Sequence, residues 1–80
     1  MLLQKYPIKK MAIFGSVSRG EDTPESDVDI LVEFSRPEAI GFIHLAYELE
    51  ELLQRKVDLV SRGGIKPKYF KAIKPDLIYV

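Results

Sequence analysis

The sequence predicts a two-layer α/β (α+β) domain, in which a mixed β-sheet carries its helices on one face. Three observations favour this fold. Short apolar or alternating runs typical of strands occur at four places. A long segment between the second and third runs has the apolar spacing of an amphipathic helix. The 80 residues, 46% hydrophobic and 30% charged, have the composition of a single globular domain spanning the whole chain.

The first strand is predicted over residues 10–14, where an apolar run stops at Gly15. Pro7 prevents a helix from running into this strand. Residues 16–19 are predicted to form a helical turn, closed by Gly20, whose backbone N–H groups favour an anion. Gly15 allows the backbone to approach another group closely, and Ser16 supplies a hydroxyl and a candidate N-cap.

The second strand, predicted over residues 27–34, carries two aspartates. Asp27 and Asp29 share one face under the two-residue period, and the other face is apolar, with Val28, Ile30 and Val32. Like charges on one face repel, and Asp is disfavoured in strands. A divalent cation would account for the pair, since Mg²⁺ is commonly held by one or two carboxylates together with substrate phosphates. For this pair alone, a turn residue followed by a solvent-facing Asp is the alternative.

A long helix is predicted over residues 36–55. A capping box formed by Ser35 and Glu38 begins it, and Pro37 is tolerated in its first turn. Apolar side chains recur at three- and four-residue steps and are suited to pack on the sheet: Ala39, Phe42, Ile43, Ala46, Leu49 and Leu53. His44, the only histidine, has no predicted partner for general-base chemistry, so we interpret it as a partly exposed structural residue.

The third strand is predicted over residues 56–60. Val57 and Leu59 face the helix, and Asp58 faces the other way, on the side of the two earlier aspartates. An isolated surface aspartate paired with Lys56 is the alternative. These placements predict three carboxylates on one face of one sheet.

The chain continues with a short helix predicted over residues 66–74, which has Pro67 near its start and Pro75 after its end. Residues 77–80 are predicted to form an edge strand. Three side chains of the short helix are expected to complete the core: Tyr69, Phe70 and Ile73.

Net charge is zero, but the charges are unevenly spread. Residues 21–51 hold ten acidic residues against Arg36, and residues 55–74 hold seven basic residues against Asp58. The overall balance argues against direct nucleic-acid binding. No cysteine, signal peptide or membrane span is found, which fits a cytoplasmic protein. A chain this small often gains stability from a partner, so a homo- or hetero-oligomer is expected.

These motifs together resemble the DNA polymerase β-like nucleotidyltransferases, whose signature is Gly-Ser, ten residues, then Asp-x-Asp. In detail the chain is similar to the minimal nucleotidyltransferase (MNT) domain, the antitoxin found beside a HEPN-type toxin. The resemblance covers about residues 9–80 and is carried by Gly15-Ser16, Arg19-Gly20-Glu21, Ser26-Asp27-x-Asp29-Ile30-Leu31-Val32 and Lys56-Val57-Asp58-Leu59-Val60. Val17 is a departure, since members of this family often carry Arg there.

The resemblance implies a Mg²⁺-dependent enzyme that transfers AMP from ATP to a hydroxyl, expected to be a tyrosine, of a HEPN toxin. Two Mg²⁺ ions are expected. The catalytic and metal-binding residues would be Asp27, Asp29 and Asp58, and the nucleotide-binding residues would be Gly15, Ser16 and Arg19. For Arg19 the alternative is a salt bridge with Glu21 or Glu25. For the whole chain the alternative is a non-catalytic antitoxin that neutralises the toxin by binding alone.

Overall fold

The computed structural model describes residues 6–21, 23, 27–36 and 39–80. Within them lie four strands and two helices: β1 (Ile8–Phe14), β2 (Val28–Phe34), α1 (Ala39–Leu53), β3 (Val57–Ser61), α2 (Pro67–Ile73) and β4 (Ile78–Tyr79). A 3₁₀ turn, Lys74–Asp76, separates α2 from β4. The strand order is β3-β2-β1-β4, with β2 and β3 parallel and the other pairs antiparallel. The predicted mixed sheet and the α+β fold are confirmed.

Apolar side chains lie on both faces of this sheet. One cluster joins α1 to alternate positions of β2, with Val28, Ile30, Val32, Leu45, Leu49 and Val57 at its centre. A second cluster has Phe14, Leu31 and Ile73 at its centre, with Phe70 of α2 packed against it. Because successive strand residues point to opposite faces, α1 and α2 cover opposite sides of the sheet.

The prediction that both helices lie on one face is therefore wrong in this respect. Leu31 and Phe14 are apolar positions on the aspartate face, and they need a cover that the open face of the predicted fold would not provide. Phe70 and Ile73 supply that cover, as predicted for the core. Tyr69 does not, since half of it remains exposed.

The element boundaries shift for local reasons. β1 begins at Ile8, earlier than predicted, because Ile8 pairs with Phe34 of β2. α1 ends at Leu53, and the next residue, Gln54, takes the left-handed φ of 54° that commonly terminates helices. Of the predicted capping box, Glu38 lies outside the described residues, as does Pro37, and the Ser35 hydroxyl donates to the Pro7 carbonyl at 3.2 Å.

The start of β3 is tied to its neighbours by two hydrogen bonds. The backbone N–H of Val57 donates to Oε2 of Glu50 on α1 at 3.0 Å. The N–H of Val28 donates to the carbonyl of Lys56 at 2.9 Å. These contacts fix the strand end that carries Asp58.

Neither helix within the described ranges combines the length and apolar character needed to cross a membrane.

Candidate functional site

Two of the predicted carboxylates lie side by side on adjacent strands. Asp29 is on β2, where its Cα is paired with Phe14 of β1 on one side and Asp58 of β3 on the other. Neighbouring strands are about 4.8 Å apart, so Asp29 and Asp58 share one sheet face at close range. Asp27 lies one residue before β2 and is exposed, as Asp58 is, whereas Asp29 is half-buried.

The Asp29 carboxylate lies directly against the backbone of Gly15. Gly15 has a φ of 76°, and an ideal Cβ at this position would overlap Oδ2 of Asp29 and approach its Cγ within 3.1 Å. A side chain at residue 15 would therefore displace the carboxylate. Glycine is needed here both for the left-handed φ and for this close approach.

The segment after Gly15 is a single helical turn with a well-defined end. The N–H of Arg19 donates to the Gly15 carbonyl at 3.2 Å, and the Ser18 hydroxyl donates to the same oxygen at 2.9 Å. At the far end, Glu21 N–H donates to the Ser16 carbonyl at 2.9 Å and Gly20 N–H donates to the Val17 carbonyl at 3.2 Å. This pair of bonds, with Gly20 at a φ of 71°, is a Schellman motif. The predicted turn over residues 16–19 is confirmed.

The side chain of Val17 points from this turn into the protein. It packs against the apolar cluster between the sheet and α1, rather than presenting a charge to the site. At this position, where the resemblance implied Arg, the chain anchors the turn by an apolar contact.

The carboxylates make the site strongly anionic. Burial raises the pKa of Asp29 above its ordinary value, and the neighbouring charges of Asp58 and Asp27 raise it further. The positive charge of Arg19 acts in the opposite direction. The three aspartates thus carry more negative charge than Arg19 offsets, and this arrangement favours a bound cation.

Arg19 is held by two carboxylates. Its Nε donates to Oε1 of Glu21 at 3.0 Å, and its Nη1 donates to Oδ2 of Asp76 at 2.8 Å. These hydrogen bonds raise the pKa of Arg19. The predicted alternative of an ion pair with Glu21 is thus present, whereas Glu25 lies outside the described residues.

The donor set fits Mg²⁺ in its chemistry. Among the described residues, no cluster of three or more His, Cys, Asp or Glu side chains forms a ready-made metal cage. Mg²⁺ does not require one, because it keeps several waters and is usually held by one or two carboxylates plus substrate phosphates. Asp29 beside Asp58, with Asp27 close enough to raise the pKa of Asp29, provides such a set on an open surface.

A concavity of about 1180 Å³ lies elsewhere on the sheet. Its lining includes Glu33 and Ser61, at the ends of β2 and β3 opposite to Asp29 and Asp58, together with Arg62 after β3 and Tyr79 of β4. None of the three aspartates lines it. Asp27 and Asp58 are exposed and Asp29 is half-buried, so the aspartate site lies on an open surface of the sheet.

Sequence reasoning missed two residues that shape this site. Ser18 fixes the turn through a bond to a carbonyl three residues earlier, a pattern that serine often adopts and that the sequence alone suggests. Asp76 reaches Arg19 across 57 positions, and no local signal points to that contact.

We expect Asp29→Asn to raise the melting temperature of the metal-free protein at neutral pH. The pKa of Asp29 is higher in the folded state than in the unfolded state. Its favourable contribution to the free energy of unfolding is therefore complete below the ordinary carboxyl pKa and is lost as pH rises through the raised pKa. Asp27 and Asp29 are two residues apart in the chain, which places their carboxylates roughly 6–7 Å apart. At an effective dielectric near 20 this pair repels by about 2–3 kcal/mol. Solvent exposure reduces this repulsion to about 1 kcal/mol, or about 4–8 °C for a domain of this size.

Thermal melts in EDTA and in millimolar Mg²⁺ test this expectation, with Glu33→Gln on the same strand and face as the control. The Asp29→Asn variant should melt higher than wild type in EDTA near pH 7, lose that advantage near pH 4, and gain much less from Mg²⁺. A variant that melts lower in EDTA and still responds fully to Mg²⁺ would identify Asp29 as a structural residue.

The chain is similar in sequence to known proteins. A family model described as "Nucleotidyltransferase domain" matches residues 1–80. A Methanocaldococcus jannaschii protein named "Putative protein adenylyltransferase MJ0128" is 51% identical over 82 residues, covering 100% of this chain and 84% of its own.

Two solved structures are also similar. One, described as "Structure of putative minimal nucleotidyltransferase", has a TM-score of 0.84 and 33% identity, covering 96% of this chain and 80% of its own. The other, described as "Crystal structure of the toxin-antitoxin with AMP-PNP", has a TM-score of 0.70 and 31% identity over 81% of this chain. This chain spans 55% of the length of that one.

Proposed function

We propose a function from one premise: this chain belongs to the nucleotidyltransferase domain family. The chain transfers AMP from ATP to a hydroxyl group of a HEPN-type partner, and this hydroxyl is expected to belong to a tyrosine. The chain thereby acts as an antitoxin in the cytoplasm, where ATP is supplied. The observation that carries the proposal is the Asp29 carboxylate, held against the Gly15 turn and beside Asp58.

Two relatives support this choice of reaction and partner. One is named a protein adenylyltransferase, and the chain covers most of its length. The other is a toxin–antitoxin structure that contains AMP-PNP, an analogue of ATP. Together they favour a nucleoside triphosphate as donor and a protein as acceptor.

The residues of the site divide the work as follows. Asp27 and Asp29, with Asp58, would hold two Mg²⁺ ions, which when bound supply positive charge to the α-phosphate and the leaving oxygen. The acceptor oxygen forms a bond to the α-phosphorus, and the bond from that phosphorus to pyrophosphate breaks. Asp58, exposed on edge strand β3, takes the proton of the acceptor hydroxyl.

The turn that starts at Gly15 holds the nucleotide phosphates. A helical turn presents its first backbone N–H groups outward, and those of Gly15 and Ser16 precede any intrahelical acceptor. Arg19 adds a positive charge at the end of the same turn. These groups bind the β- and γ-phosphates and steady the departing pyrophosphate.

The direct test is incubation of the chain with its HEPN partner, ATP and Mg²⁺, followed by intact mass measurement. The partner should gain the mass of one or more AMP groups, and the Asp29→Asn variant should leave its mass unchanged. If the wild-type chain neutralises the partner without any mass gain, the chain is a binding-only antitoxin and the proposed activity is wrong.

A further inference from the structure

We propose that Asp76 is a positioning residue for nucleotide binding, which holds the Arg19 guanidinium at the site so that it meets the phosphates. This inference rests on the proposed function and extends it to a residue outside the motifs. Asp76 lies in the 3₁₀ turn after α2 and contacts the site through Arg19.

The contacts fix both the position and the plane of the guanidinium. Glu21 accepts from Nε at 3.0 Å and Asp76 accepts from Nη1 at 2.8 Å, so two different nitrogens of one planar group are held. Glu21 lies two positions from Arg19, at the end of the same turn. Asp76 is 57 positions away and ties the Arg19 side chain to a distant segment of the fold.

Asp76 is itself firmly placed. It directly precedes Leu77, whose N–H donates to the Lys74 carbonyl at 3.2 Å and closes the 3₁₀ turn. Two residues after Asp76, Ile78 pairs with Ile13 of β1, the strand that leads into Gly15. The contact therefore joins the turn to the sheet from which that turn emerges.

The contact is better explained by nucleotide binding than by folding. The Arg19 and Asp76 side chains are 44% and 32% exposed, and ion pairs with such exposure contribute little to stability. Arg19 nevertheless lies close enough to Asp29 for its charge to act on that carboxylate. A long side chain that is already ordered loses less entropy when a phosphate binds, so the contact increases affinity by preorganisation.

A double-mutant cycle separates this role from the repulsion between the Asp76 carboxylate and phosphate. AMP-PNP with Mg²⁺ is titrated into ¹⁵N-labelled wild-type chain, Arg19→Ala, Asp76→Ala and the double variant, with the dissociation constant taken from chemical shifts. Glu51→Ala, which removes an exposed carboxylate on α1, is the control, and Asp76→Asn is used if Asp76→Ala does not fold.

We expect Asp76→Ala to weaken binding about 3- to 10-fold more when residue 19 is Arg than when it is Ala. The Arg19 Nε–H resonance should also exchange faster with water in Asp76→Ala, while Glu51→Ala leaves both readouts unchanged. The positioning role is overturned if Asp76→Ala weakens AMP-PNP binding equally with Arg or Ala at position 19. It is also overturned if Asp76→Ala tightens binding only when Arg19 is present. Failure of the wild-type chain to bind AMP-PNP instead overturns the proposed function itself.

Discussion

Replacing Asp29 with Asn is expected to lower the rate of AMP transfer to the partner by about a thousandfold or more. Asp29 is on a central strand of the sheet, half-buried, and flanked by Asp58 and the Gly15 turn. The amide keeps the shape of the side chain but removes the charge that a divalent cation and the reacting phosphate require. The measurement is the initial rate of partner modification at saturating ATP and Mg²⁺.

Asp27→Asn and Asp58→Asn are expected to reduce the same rate by several orders of magnitude, through loss of a metal ligand or of the proton acceptor. Glu33→Gln is the matched control, because Glu33 lies on the same strand and face as Asp29 but at its far end. It should keep the wild-type rate. If all three Asp variants also keep that rate, the assigned site is wrong.

Gly15→Ala is expected to reduce AMP transfer by about a hundredfold and to destabilise the fold. A side chain at a positive φ costs about 1–2 kcal/mol, and the added Cβ also collides with Oδ2 of Asp29. The carboxylate must then move, and small displacements of a reacting group lower rates steeply. Initial rates and thermal melts of the variant measure both effects.

Gly20→Ala provides the control for this prediction. Gly20 has nearly the same φ, 71° against 76° for Gly15, but its Cβ would meet no atom of the described residues within 4 Å. Both variants should therefore show the cost of a positive φ, and only Gly15→Ala should lose most of its activity. Equal losses in the two variants would mean that the contact between Gly15 and Asp29 has no catalytic importance.

The parts of this site that the sequence predicts are those governed by local geometry. The two-residue period of a strand decides which face Asp29 occupies, and a parallel neighbour with the same alternation brings Asp58 to the same face. The need for a close backbone approach at Gly15 is also visible in the sequence. The sequence could not identify the group that approaches, since this depends on the register between β1 and β2.

Contacts between distant segments could not be predicted. The placement of α2 on the aspartate face follows from the packing of Phe70 and Ile73 against Leu31 and Phe14, and a short helix carries no signal for which face it covers. The pairing of Arg19 with Asp76 depends in turn on that placement, because the 3₁₀ turn follows α2 directly. The sequence pattern therefore identified the three aspartates and missed Asp76, the residue that orients the Arg19 guanidinium.

The reaction class is tested most directly by the position of the label that reaches the partner protein. Two parallel reactions contain the chain, its HEPN partner and Mg²⁺, one with ATP labelled at the α-phosphorus and one with ATP labelled at the γ-phosphorus. Nucleotidyl transfer keeps the α-phosphorus and releases the γ-phosphorus in pyrophosphate. We predict that the partner becomes labelled only from α-labelled ATP, and that Asp29→Asn abolishes this labelling. Label from γ-labelled ATP on the partner, or undiminished α-labelling by Asp29→Asn, would contradict the account.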